Sequence, residues 1–184
     1  MSNQVKYATI TEDMLSYNTL IQGIEASGMI LVGFTGGVSF TTFLEQFPEA
    51  LRSAFADETT SVVLVSEALK NHLTEAEFAT MIKHEEGHVV LGHLNGQTGV
   101  VNNMAVEIEA DDYALQSHSA ADLLSGFNKV IDHAIVRLTQ HIITTAADAD
   151  AESVHELVTN MTTKIQADAE AMRVSRFHRL FNHA

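Results

Sequence analysis

The 184-residue sequence predicts an α+β fold, mainly helical and with a small sheet, and three observations carry that reading. Apolar residues recur at helical spacing through most of the chain, only two short runs read as strands, and helix-start signals follow one another from Thr74 onward. The length fits a single domain spanning 1–184. Within it, 1–59 holds N-terminal helices and a strand, 60–118 a core with the candidate site, and 119–184 C-terminal helices.

In chain order, Met14, Tyr17, Ile21 and Ile24 fit a helix over residues 11 to 26 that Gly28 stops. Met29 to Val32 reads as a strand. The glycines between Gly33 and Gly37 make a turn; without a Gly-Lys-Ser/Thr ending they do not form a phosphate loop. Thr41 to Phe47 and Glu49 to Phe55 read as helical, interrupted at Pro48. The β-branched, apolar run Ser61 to Val65 is a second strand. Thr74 and Glu77 form a capping-box pattern, so a helix begins at Glu75, turns Phe78, Met81, Ile82 and Val89 inward, and ends near Gly92.

After the loop Asn95 to Gly99 comes a helix from about Asn103 to Gln116. Ser119 with Asp122 starts another, to which Leu123, Leu124, Phe127, Val130, Ile131 and Ile135 give a broad apolar face. The run Ala146 to Ala151 separates it from a last helix striped by Val154, Val158, Met161, Ile165 and Met172. Core packing explains that stripe, and a homodimer through the C-terminal helices stays open.

Composition narrows the function. With 46% hydrophobic residues and a mean hydropathy of +0.06 the chain is not grossly disordered. The polar start lacks a signal-peptide pattern, and the apolar run Met29 to Val32 is far too short to span a bilayer, so the expectation is a cytoplasmic protein without a membrane partner. There is no cysteine, which suits a reducing compartment and leaves only His, Asp and Glu to hold a metal. A net charge of −14 with no Lys/Arg cluster argues against nucleic acid as a partner.

The chemistry concentrates in His84-Glu85-Glu86-Gly87-His88. Histidines four apart on a helix share a face one turn apart, a separation at which both imidazoles reach one Zn²⁺. Glu85, beside the first histidine, can take a proton from a metal-bound water and pass it to a leaving amine, as a general base does. Such a three-residue pattern recurs by chance in roughly a few per cent of chains this long, so its surroundings must add weight.

Catalytic zinc takes three protein ligands and keeps one position open. His93 lies about 140° round a continuing helix from His88, and Leu91 and Leu94 stand where the extended metzincin pattern has glycine and histidine. Glu107 and Glu109 remain, two positions apart and so on nearly opposite faces of the next helix. Glu107 shares its face with Met104, Asp111 and Ala114, and Asp111 could orient a histidine ligand through its second nitrogen. Helix geometry favours Glu107.

The run Ser61 to Leu69, then Leu73 to Glu77, His84 to His93 and Glu107 to Ala114 resembles the gluzincin family of HtpX and CAAX-protease metallopeptidases, most closely the soluble minigluzincins. The family pattern, His-Glu-x-x-His followed by Glu-x-x-Ala-Asp, is met by Glu107, Ala110 and Asp111, and the resemblance covers roughly residues 60 to 135. It implies a zincin-like domain with an active-site helix, in which His84, His88 and Glu107 bind zinc, Glu85 is the base and Asp111 supports a ligand. It also implies that Ser61 to Val65 holds a peptide or protein substrate by main-chain pairing. Tyr113, His118, His133 and Arg137 are candidates for an oxyanion donor. ImmA/IrrE-type metallopeptidases are a second resemblance, which would make the chain a regulatory protease for one protein partner. A catalytically inactive metal-binding interaction protein is the third reading.

Overall fold

A computed structural model of the chain describes residues 5–11, 29–32, 41, 44–45, 47–57, 59–93, 104–146 and 150–181. Along them run β1 (Val5–Ile10), β2 (Met29–Val32), α1 (Glu49–Arg52), β3 (Ser61–Ser66), α2 (Glu67–His72), α3 (Glu75–Val90), α4 (Met104–Leu115), α5 (Ala120–Thr145) and α6 (Ala151–Phe181). The α+β, mainly helical expectation holds. The expected helix over residues 11 to 26, the glycine turn and the loop Asn95 to Gly99 lie outside the described residues. The expected helix Thr41 to Phe47 does so in part.

Ser61–Ser66 has no charged side chain and every residue is buried, as a strand covered on both faces requires. Its side chains alternate. Val62 and Leu64 join Ile10, Phe47, Leu51 and Phe55 in one core, whereas Val63 and Val65 join Met29, Leu69, Leu73, Met81, Leu123, Phe127 and Phe177 in the other. The larger core lies between the sheet and the helices.

The sheet order is β1-β3-β2, with β1 parallel and β2 antiparallel to β3. Two expectations are corrected here. The start of the chain contributes a strand: Val5–Ile10 pairs with Ser61–Ser66 throughout. And β3 cannot hold a substrate by main-chain pairing, because β1 and β2 already occupy its two edges. The helix expected over Glu49 to Phe55 stops at Arg52; tighter i→i−3 bonds follow, Ala54 to Leu51 and Phe55 to Arg52, and bring the Phe55 ring to 5.1 Å from that of Phe47.

Ser66 closes β3 and caps α2, its Oγ accepting from the Leu69 N–H. Thr74 then caps α3 through the full reciprocal box with Glu77. Glu77 also accepts from Ser125 Oγ at 2.5 Å and from Lys129 Nζ at 2.7 Å, which ties the start of α3 to α5. Burial raises the Glu77 pKa, but these partners outweigh it and hold the carboxyl down at about 2. The first turn of α3 is thereby fixed from two sides, and the motif histidines ride two to three turns further on.

Candidate metal centre

α3 and α4 cross closely because Gly87 has no side chain: a Cβ there would sit 3.1 Å from Ala110 Cα and 3.2 Å from both Ala110 O and Tyr113 Cβ. The approach brings α4 carboxylates against the α3 histidines. His84 Nε2 lies 3.1 Å from His88 Nε2 and 3.4 Å from Glu107 Oε2, and His88 Nε2 lies 3.6 Å from Glu107 Oε1. Two imidazoles and one carboxylate therefore converge.

Donors bonded at about 2.0–2.1 Å around a tetrahedral zinc stand about 3.3 Å apart. The three separations bracket that value, and two nitrogens with one oxygen are a donor set zinc accepts. The residues fit a metal. They do not close a four-ligand cage among the described residues, since the triad is the one such group found there.

Each histidine has a partner behind it. His84 Nδ1 is 2.9 Å from Asp111 Oδ1, although the contact is too bent for a good hydrogen bond. Asp111 is fully buried and receives a two-pronged interaction from Arg176, Nε to Oδ2 at 3.0 Å and Nη2 to Oδ1 at 2.8 Å. Arg176 Nη1 also reaches Glu107 Oε2 at 3.4 Å, and its guanidinium lies over the Phe127 and Phe177 rings. On the other side His88 Nδ1 meets His93 Nδ1 at 3.0 Å, and His93 Nε2 meets Glu109 Oε2 at 3.0 Å.

Electrostatics follow from this packing. Burial lowers the His84 pKa, but Asp111 and Glu107 outweigh it and raise it to about 9. Burial, reinforced by the positive His84, pushes His88 down. For Glu107 and Asp111, burial raises the pKa while His84 and Arg176 lower it further, so both are held below the ordinary carboxylate range. Glu85 differs: burial pushes its carboxyl up, and it makes no hydrogen bond or ion pair among the described residues.

The structure thus brings together His84, His88, Glu107 and Asp111. Tyr113 is engaged elsewhere, its hydroxyl donating to Glu86 Oε1 at 2.9 Å beside Lys83. His118 Nδ1 meets Ser117 Oγ at 2.9 Å, and His133 Nε2 lies 3.4 Å from Ser66 Oγ. Among the described residues, no hydrogen bond or ion pair joins these three to the triad. Arg176 was not singled out by its sequence, being one of several cations in a long polar helix. No family model, curated protein or solved structure matches the chain.

Proposed function

We propose that the chain is a zinc-dependent metallopeptidase in which His84, His88 and Glu107 hold the ion and Glu85 is the general base. The observation that carries this is the convergence of three metal donors beside a partly buried carboxylate, Glu85, that makes no hydrogen bond or ion pair among the described residues. A purely structural site would be closed by a fourth ligand and has no use for an unpaired carboxylate. Bound there, zinc would supply Lewis acidity toward a water and a peptide carbonyl.

The chain's own residues do the rest. Glu85, its carboxyl pushed up by burial, is placed to accept a proton and return it to the leaving amine. Asp111, held by Arg176, fixes the ring of His84. The gluzincin resemblance and its zincin-like fold belong to this reading, as does a peptide or protein substrate. So does the cytoplasmic placement expected of a cysteine-free chain; no helix among the described residues is long and apolar enough to cross a membrane.

The test is paired. Glu85→Gln is expected to retain about one zinc per chain while losing cleavage of an unfolded protein such as casein, and Glu107→Ala to lose the metal itself. Equal cleavage by wild type and Glu85→Gln removes the mechanism.

A further inference from the structure

We infer that His93 is a positioning residue for the metal ligand His88, backed in turn by Glu109; this rests on the zinc reading above. The placement starts in the backbone. Gly92 adopts φ 76°, open to glycine at little cost, and ends α3 in a Schellman turn in which the His93 N–H bonds to His88 O at 2.9 Å and the Gly92 N–H to Val89 O at 3.2 Å. A continuing helix would carry His93 well round from His88. The turn instead folds it back over His88, so that the two residues meet through the backbone and again through their rings.

The ring contacts leave one consistent proton arrangement. His88 Nε2 faces Glu107 and His84, so as a metal ligand it must present a lone pair there and carry its proton on Nδ1. That proton is donated to His93 Nδ1, 3.0 Å away, which must then be unprotonated. A neutral His93 keeps its proton on Nε2 and donates it to Glu109 Oε2 at 3.0 Å. The chain His88, His93, Glu109 ends on a carboxylate, as the chain from His84 ends on Asp111. Each proposed ligand ring thus has a carboxylate at the end of the contacts behind its Nδ1, and for His88 the chain favours the tautomer that leaves Nε2 free for a metal. His93 and Glu109, the two alternatives to Glu107 as third ligand, find their place behind the site.

The experiment reads zinc affinity by chelator competition and ring ¹⁵N shifts by NMR, without relying on cleavage. His93→Phe removes the acceptor and should weaken zinc binding about tenfold or more, within the range seen when such outer partners are lost. His93→Asn places a carbonyl oxygen near the Nδ1 position and should restore affinity to within about threefold of wild type. Rescue by asparagine distinguishes a hydrogen-bonding role from simple filling of space. In the zinc-loaded wild type, His93 should show the Nε2–H tautomer with a bare Nδ1, which is measurable even if His93→Phe fails to fold. Unchanged zinc affinity in folded His93→Phe, or a protonated Nδ1 on His93 of the zinc-loaded wild type, overturns the inference. Wild type that binds no zinc would instead refute the metallopeptidase reading.

Discussion

At the scale of single residues, the proton on His84 makes a measurable demand on metal binding. Its unfolded pKa is near 6.5 and its folded value about 9, so in the metal-free protein it stabilises the fold fully below pH 6.5, and this contribution is lost as pH rises through 9. Zinc requires that same nitrogen bare. Affinity should therefore rise by about tenfold per pH unit between roughly 6.5 and 9, with one proton released per ion. His88, pushed down by burial and by His84, adds no competing proton in that window. Chelator competition at several pH values, with calorimetry in two buffers to count protons, checks this; a flat profile contradicts it. The residues concerned were readable from the motif, since spacing alone puts His84 and His88 on one face. What spacing conceals is His93: the sequence marks Gly92 as the helix stop, but the ring's direction follows from the turn at Gly92 and not from helical spacing.

Helices pack here through absent side chains, and the two helical glycines among the described residues separate two kinds of close contact. At Gly87 a methyl group would meet the backbone of Ala110, which cannot rotate aside, on a helix already pinned by Asp111 and Arg176. Alanine's better helix propensity is worth about 1 kcal/mol. Overpacking of this kind costs about 1–3 kcal/mol, so Gly87→Ala should destabilise on balance. It should also weaken zinc binding by shifting Glu107 away from the histidines. At Gly126 the nearest atoms are Cγ and Sδ of Met81, 3.0 and 3.1 Å away, at the adaptable end of a flexible side chain. Gly126→Ala should be neutral or mildly stabilising and leave zinc affinity alone. Thermal melts and zinc titrations on the two variants decide it, and a harmless Gly87→Ala would show that the α3–α4 spacing does not set the site. Helices from Glu75 onward were legible because caps and periodicity agree. β1 was not, because its modest alternation becomes a strand only when β3 lies beside it. The same pairing shows why a single apolar run could not reveal which edges of β3 are free.

Across the whole molecule, the site depends on a helix that the motif does not contain. α6 runs 31 residues, yet Arg176 and Phe177 are its only buried side chains among those described, and Arg176 is the one that grips Asp111. This link joins positions 65 residues apart and no local pattern announces it. Docking of α6 and ordering of the proposed metal ligands are therefore expected to be coupled, and coupling of this kind is reciprocal. Arg176→Leu leaves the buried Asp111 with His84 alone beside it; removing one member of a buried ion pair costs up to about 3–5 kcal/mol. Arg176→Lys keeps the charge but not the fork, and should fall between. Zinc at a hundredfold excess over its Kd should stabilise the wild type by about 2.7 kcal/mol, and it should slow amide exchange around Arg176 although that segment supplies no ligand. In Arg176→Leu the variant should bind zinc more weakly, and added metal should no longer protect α6. If zinc protects α6 equally in wild type and Arg176→Leu, the helix is held by Phe177 and its neighbours alone, and the Arg176–Asp111 pair does not carry the coupling.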